Sequence, residues 1–198
     1  MLASITPLGE RSRKSRWGTT FAWFVAGAMV GGAAIGAALG GFGLLMNDEL
    51  GASIDVRTAV IAVALAIGAA WDLNAIPLPL PTTRRQVNAY WIGYYRGWVV
   101  GAGFGFQLGL GVGTIVSSAL VYSVLLASLI AGSIGTGLAI GIAFGLARGL
   151  ALLPAVIVTT PDRLLQLSRW LAANEERARS VASALALMSA CALLAQSL

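Results

Sequence analysis

A few polar side chains carry whatever chemistry residues 97–159 offer, because everything around them is apolar. No charged residue occurs from Gly97 to Ala147, and Arg148 is the first. Polar and charged groups inside a membrane are costly and normally face protein or a wet cavity, so they predict a small substrate site at mid-depth. The candidate substrate-binding residues are Gln107, Thr114, Ser117, Ser118 and Arg148.

Each candidate also has a simpler structural explanation. Serine and threonine hydroxyls in a membrane helix can return a hydrogen bond to the preceding turn, whereas the amide of Gln107 is harder to satisfy. Arg148 either snorkels to the interface or is buried, and then Asp72 or an unwound carbonyl is its candidate partner. Asp72 ends the second apolar run, where it can equally be an interfacial residue.

Composition excludes several kinds of chemistry. The chain has no histidine and a single cysteine, Cys191. A Ser/His/Asp set, an intramolecular disulfide, a CxxC pair and a cysteine-based zinc site therefore cannot form. The "GAGFG" stretch at 101–105 lacks the strand and the acidic follower of a nucleotide fingerprint. We expect no metal and no cofactor, and a non-enzymatic function rather than an enzyme.

The overall balance of residues is that of a membrane protein. Of the 198 residues 58% are hydrophobic and 11% charged, with a mean hydropathy of +0.82, whereas a soluble domain has about 25% charged residues. The sequence predicts an all-α fold, a polytopic integral membrane helical bundle. Lys and Arg act as orientation signals there, so the net charge of +5 does not indicate nucleic acid. The expected partners are the lipid bilayer and either further copies of the chain or another membrane protein.

Breaks in the pattern divide this single domain of 198 residues. Prolines alternate at 77, 79 and 81 and exclude a helix there, while Thr160, Pro161 and Asp162 form a helix start. The predicted segments are a basic cytoplasmic tail (1–17), a first helical hairpin (18–73), a Pro-rich and basic linker (74–92), a Gly-rich helical core (93–159), an interfacial amphipathic helix (160–180) and a C-terminal membrane helix (181–198).

The number of crossings depends on residues 97–132. By length, the 63 residues from 97 to 159 measure about 95 Å as a helix, enough for three crossings. By the positive-inside rule, two net crossings are favoured. Both hold if 97–132 forms one broken or re-entrant segment whose halves meet near Gly111 to Thr114. We expect five net crossings of the cytoplasmic membrane, or six if 97–132 is a complete hairpin, with the N-terminus inside.

Glycines recur at every fourth position in the apolar runs, which places them on one helix face. Such a face lets another backbone approach closely, so it predicts glycine-zipper packing; a functional alternative is that these helices slide or open around a pore. Residues 16–40 also resemble 90–113 at a shift of 74 or 75, consistent with an internal repeat or with chance similarity of Gly/Ala helices. The proposed packing residues are Gly101, Gly105, Gly109, Gly137, Gly141 and Gly145.

The long glycine segment and the following "GIAFGLARGL" (141–150) resemble CcdA/DsbD-type cytochrome c biogenesis membrane proteins and related actinobacterial membrane proteins, over roughly 84–155. The resemblance implies two three-helix repeats with long broken helices, which pass reducing equivalents across the membrane through a cysteine on each repeat. This sequence departs from it, because 97–132 has neither cysteine nor proline. No catalytic residue is carried over.

Two functional hypotheses follow. The first is a small transporter or channel-like carrier with a mid-membrane polar site, in which Arg148 attracts an anionic group or gates it. The alternative is a non-catalytic membrane subunit or scaffold that packs a partner through its glycine-rich faces, with "RRQVNAYW" (84–91) and the helix at 161–180 as its docking surface.

Overall fold

The computed structural model describes residues 6–12, 16–50, 53–81, 94–111, 116 and 118–196, and every regular element in these ranges is helical. Four helical stretches, Trp17–Met46, Ile54–Asp72, Ile134–Ile157 and Pro161–Ala195, are long and apolar enough to cross a membrane. The predicted fold class, a polytopic membrane helical bundle, is confirmed. The helices are α1 (Pro7–Ser12), α2 (Trp17–Leu50), α3 (Ile54–Asp72), α4 (Gly97–Gly109), α5 (Leu120–Ile130), α6 (Ile134–Leu150), a 3-10 helix (Leu153–Ile157) and α7 (Pro161–Gln196).

The ends of α3 follow from the local sequence. Its N-cap is Ser53, whose side chain accepts a hydrogen bond from the Val56 N–H, and Asp55 lies favourably in the first turn. Beyond its last residue the chain reverses at Asn74, which adopts a left-handed φ of 60°. The prolines that follow cannot continue a helix, as predicted.

The helices α2, α4 and α6 form a triad in which backbones touch. A Cβ added to Gly105 would overlap the carbonyl oxygen of Phe24, and one added to Gly141 would overlap that of Gly32. Residue numbers rise together along α2 and α4 but in opposite senses along α2 and α6, so α4 runs parallel and α6 antiparallel to α2. The same overlap with a facing carbonyl oxygen occurs at all six proposed packing residues: Gly101, Gly105, Gly109, Gly137, Gly141 and Gly145.

The two segments of the suspected repeat lie side by side in this triad. Gly27 faces Ala102 and Gly31 faces Phe106, and both pairs are 75 residues apart (102 − 27 and 106 − 31). Other contacts between the same two helices join residues 81 apart, such as Gly105 and Phe24 (105 − 24), so the contacts do not test the duplication, which stays a prediction.

The segment 97–132 is interrupted in its middle. α4 ends at Gly109, Gly111 has a left-handed φ of 76°, and α5 begins only at Leu120. At 1.5 Å per residue, α4 and α5 measure about 20 and 16 Å, each short of the roughly 30 Å of hydrocarbon. The interruption lies where the sequence places it, near Gly111, whereas Thr114 is outside the described residues.

The two halves of the interrupted segment follow one direction along α2. Gly101 of α4 lies beside Thr20, and Leu129 of α5 lies beside Gly43, much further along the same helix. The segment therefore leaves the bundle at the end opposite the one it entered, and the interruption lies near the middle of α2. The expected number of crossings, five net or six if 97–132 is a complete hairpin, stays a prediction.

The helices α3 and α7 form an outer pair. α3 packs on α7 and on α5, so the second helix of the predicted hairpin (18–73) does not have α2 as its main partner. In the apolar half of α7 the buried residues recur every third or fourth position, at Ser183, Ala186 and Ala190. The short α5 is the connection between this pair and the triad, since it contacts α2, α3 and α6.

The predicted boundary between an interfacial helix (160–180) and a membrane helix (181–198) is not present in the backbone. The helix α7 continues without a break from Pro161 to Gln196. No glycine occurs in it and its only proline is at the start, so nothing in the sequence interrupts the helix at Ser180. An ion pair between Glu175 and Arg179, four residues apart, further supports the helix in its charged half.

Candidate functional site at the helix interruption

Gly111, at the start of the interruption, is enclosed by side chains from two helices. Gly111 is buried, and a Cβ added there would lie 3.3 Å from the ring of Phe144 on α6 and 3.3 Å from Val121 on α5. Its left-handed backbone requires glycine, because a side chain would be strained as well as crowded. The backbone therefore leaves the helical hydrogen-bond pattern inside the protein, the condition under which irregular backbone is tolerated at membrane depth.

Arg148 lies directly against this interruption. Its Nη1 donates a hydrogen bond of 3.4 Å to the Gly111 carbonyl oxygen, and its guanidinium carbon is 5.5 Å from the centre of the Phe144 ring. The side chain is half-buried. Of the two partners considered from the sequence, the structure thus provides the unwound carbonyl. A guanidinium has five N–H donors, and among the described residues its partners are this carbonyl and the aromatic face, with no carboxylate in an ion pair with it.

Asp72 lies on the other side of the interruption. Its side chain is 4% exposed, Oδ2 accepts from the Ser118 hydroxyl at 2.5 Å, and Oδ1 accepts from the Ala119 N–H at 2.7 Å. Ala119 is the N-cap residue of α5. A carboxylate from α3 therefore caps α5, where the helix dipole favours negative charge.

Asp72 was also a candidate charge partner of Arg148, and the structure places it elsewhere. No ion pair joins the two residues, both of which are described. The physical reason is that an N–H and a hydroxyl at the α5 N-terminus already satisfy the carboxylate oxygens, while Arg148 has its own carbonyl on α4's side of the break.

The remaining polar candidates divide between two locations. Ser118 belongs to the Asp72 contact, and Gln107 lies half-buried on α4. Thr114 and Ser117 lie outside the described residues. Ser123 is not among the residues predicted from the sequence. Its Oγ donates a hydrogen bond of 2.8 Å to the Ala64 carbonyl oxygen and so joins α5 to α3.

A cavity of about 280 Å³ adjoins α3 and α5 but has different chemistry. It is mostly apolar, and two polar groups on its wall are already used: the Tyr122 hydroxyl donates to the Pro81 carbonyl and the Trp71 indole N–H to the Leu78 carbonyl. Neither Arg148 nor Gly111 lines it. The polar site and this cavity are therefore separate features.

A buried carboxylate near the N-terminus was missed from the sequence. Glu10 on α1 is fully buried and accepts a hydrogen bond of 3.1 Å from the Thr20 hydroxyl of α2. The Leu8 N–H donates to the Val158 carbonyl, so α1 folds back onto the chain that follows the 3-10 helix. The sequence signal for this burial is a single acidic residue within a basic tail, whereas the whole of 1–17 is predicted to be a cytoplasmic tail.

The comparison with known families decides what kind of membrane protein this is. Residues 2–191 match the family described as cytochrome C biogenesis protein transmembrane region (DsbD_2). The chain belongs to this family. The resemblance predicted for roughly 84–155 is confirmed and extends over nearly the whole chain. No curated protein and no solved structure matches the chain significantly.

Membership of the cytochrome c biogenesis transmembrane family does not supply a thiol site in this chain. Cys191 is exposed on α7 and is the single cysteine of the sequence. In the described part of the chain no three His, Cys, Asp or Glu side chains lie together in a way that could hold a metal.

Proposed function

We propose that the protein is a small membrane carrier for anionic solutes, with its binding site at the interruption between α4 and α5. The observation that carries the proposal is the contact of the Arg148 guanidinium with the Gly111 carbonyl. It combines a half-buried positive charge with unwound backbone near the middle of the bundle. Transporters place substrate sites at interruptions of this kind.

The energetics favour a functional reason for Arg148. A charged side chain well inside a membrane segment costs about 2.5–3.5 kcal/mol on insertion scales. One hydrogen bond of 3.4 Å to a neutral carbonyl offsets only a small part of that free energy. An anion that binds the guanidinium would add the stronger, charge-assisted hydrogen bonds that the carbonyl does not provide.

The family name concerns cytochrome c biogenesis, and the resemblance implies transfer of reducing equivalents through two cysteines. With one cysteine, this chain has no dithiol to oxidise or reduce within itself. A carrier with the same helical frame and a different cargo accounts for both family membership and the missing thiols. We further propose that it lies in the cytoplasmic membrane with its N-terminus inside, as the distribution of arginines predicts.

Anion flux in proteoliposomes tests the proposal. Vesicles containing the purified protein and a chloride-quenched dye are exposed to external chloride, and nitrate and formate are then exchanged against internal chloride. Hydrogen bonds to a charged group contribute about 1.5–3 kcal/mol, so Arg148→Ala should slow flux about tenfold or more. Arg148→Lys should retain part of the rate because it keeps the charge.

The control is Arg169→Ala, which removes an exposed arginine of α7 and should leave flux unchanged. Both variants must elute as the wild type does in size-exclusion chromatography, so that misfolding is excluded. Wild-type flux no faster than that of protein-free vesicles with all three anions, or an Arg148→Ala variant as fast as wild type, would refute the carrier.

The scaffold alternative has one observation in its favour. The charged half of α7 exposes large apolar side chains, with Leu165 56% and Trp170 58% exposed. Such residues beside arginines are typical of a docking surface. Absence of anion flux, together with loss of a defined complex on Trp170→Ala but not on Arg148→Ala, would favour the scaffold.

A further inference from the structure

The helix α5 lies between two glycines with left-handed backbone. Gly111 precedes it in the chain, with φ 76°, and Gly132 follows its last turn, with φ 57°. Both φ values lie in the region that glycine reaches without strain, and residues at the ends of elements are the usual places where hinge motion is absorbed. At 11 residues α5 is short, so it can move as one rod.

The N-terminal half of α5 is bound to α3. Asp72 accepts hydrogen bonds from Ser118 and from the Ala119 N–H, and Ser123 donates to the Ala64 carbonyl. These three bonds, one of them at 2.5 Å to a buried carboxylate, connect α5 to the outer pair rather than to the triad.

The C-terminal end of α5 is held by the triad. A Cβ added to Gly43 of α2 would overlap the Leu129 carbonyl oxygen, so the two backbones touch one turn before Gly132. The end of α5 next to Gly132 is therefore the fixed one, and the end next to Gly111 is tied to the element that packs more loosely on the triad.

From this asymmetry we propose that α5 is the gate of the carrier, and that it swings with α3 about its C-terminal end at Gly132. The inference rests on the proposed function, because the opening it controls is the Arg148 site. Val121 of α5 lies against Gly111, so a movement of this end of α5 away from α6 exposes the Gly111 carbonyl and the guanidinium bound to it. Asp72 is a positioning residue: it acts through α5 and has no contact with Arg148.

Distances between spin labels test the motion without any transport assay. In a Cys191→Ser background, one pair of labels joins α5 to α6 (Leu126→Cys with Leu146→Cys), and the control pair joins α5 to α3 (Leu126→Cys with Val63→Cys). All three sites are exposed, so labelling should not disturb packing. In lipid nanodiscs we expect two populations of distances for the α5–α6 pair and one for the α5–α3 pair. A single narrow α5–α6 distance at both low and high chloride, or an α5–α3 pair that splits as well, overturns the gate.

Cross-linking adds the functional readout. A short bismaleimide between Val121→Cys and Phe144→Cys, which both border Gly111, should stop chloride flux, whereas one between Ala64→Cys and Ser123→Cys should not. Equal flux after both cross-links, or equal loss, contradicts the proposal. The two proposals fail separately: two distance populations without anion flux refute the carrier alone, and anion flux with one fixed distance refutes the gate alone.

Discussion

The triad of α2, α4 and α6 and the outer pair of α3 and α7 are held together in different ways. In the triad, glycines let one backbone touch the next, with a carbonyl oxygen at each close approach. In the outer pair the buried residues are alanines and single polar side chains, and α3 meets α5 through a side chain, since a Cβ added to Gly68 would lie 2.6 Å from Ser123 Oγ. A side chain can rotate away, whereas a backbone cannot. We therefore expect the triad to be the rigid frame of the bundle and the outer pair to be the part that can be displaced.

This difference has a physical origin in the membrane. Lipid tails are as apolar as the helix surfaces, so association depends on van der Waals packing and hydrogen bonds rather than on the hydrophobic effect. Close backbones increase packing and allow Cα–H···O contacts of about 0.5–1 kcal/mol each. Six such positions in α4 and α6 add up, while the outer pair relies on three hydrogen bonds through α5.

The largest expected loss of stability is at a glycine whose helix contacts a neighbouring backbone in the triad, compared with a glycine on the surface of the same helix. Gly141→Ala places a methyl group on the Gly32 carbonyl oxygen, and overpacking of this kind costs about 1–3 kcal/mol. The thermal unfolding midpoint in detergent should fall clearly. The control is Gly135→Ala on the same helix, where the nearest atom would be 3.9 Å away, and it should be neutral. Equal losses at the two positions would show that backbone contact does not hold the triad.

An intermediate effect is expected where the outer pair joins α5. Asp72→Ala removes the cap of α5 and leaves the Ala119 N–H and the Ser118 hydroxyl without their acceptor, at a cost of about 1 kcal/mol. Hydrogen exchange at Ala119 should accelerate while that of the triad stays unchanged. Asp162→Ala, at the exposed start of α7, serves as the control. Faster hydrogen exchange throughout the triad in the Asp72→Ala variant would mean that the triad and the outer pair unfold as one cooperative unit.

The smallest effect concerns the charged half of α7. Glu175→Gln removes an ion pair of 2.8 Å to Arg179, but the Glu175 side chain is 66% exposed, so the loss should not exceed about 0.5 kcal/mol. High salt screens the ion pair, so it should lower the unfolding midpoint of the wild type to that of the Glu175→Gln variant. A larger loss that persists at high salt would indicate that this half of α7 is held by contacts beyond the ion pair.

What could be predicted from the sequence is the part set by local spacing. A glycine at every fourth position places one face of α4 or α6 against a neighbour whatever the neighbour is. The interruption near Gly111 was predicted because the length of residues 97–159 favours three crossings whereas the distribution of arginines favours two, and one broken segment at 97–132 satisfies both. These arguments need no knowledge of which helices meet.

What could not be predicted depends on tertiary neighbours. Asp72 and Arg148 looked like partners because they carry opposite charges, but α5 lies between their helices and offers Asp72 better donors. Glu10 is buried only because α1 folds back to Thr20, which no periodicity in the tail indicates. The change from charged to apolar residues near Ser180 marked a change of environment, and it was wrong to treat it as the end of a helix.

The length of α7 has a mechanical consequence. Its 36 residues measure about 54 Å, far more than the roughly 30 Å of hydrocarbon. If its apolar half is embedded, the charged half extends beyond the lipid as part of the same helix, which continues without a break across the membrane surface. A push or twist applied to the water-side end would reach α3 through this helix, since α7 is continuous from Pro161 to Gln196 and packs on α3.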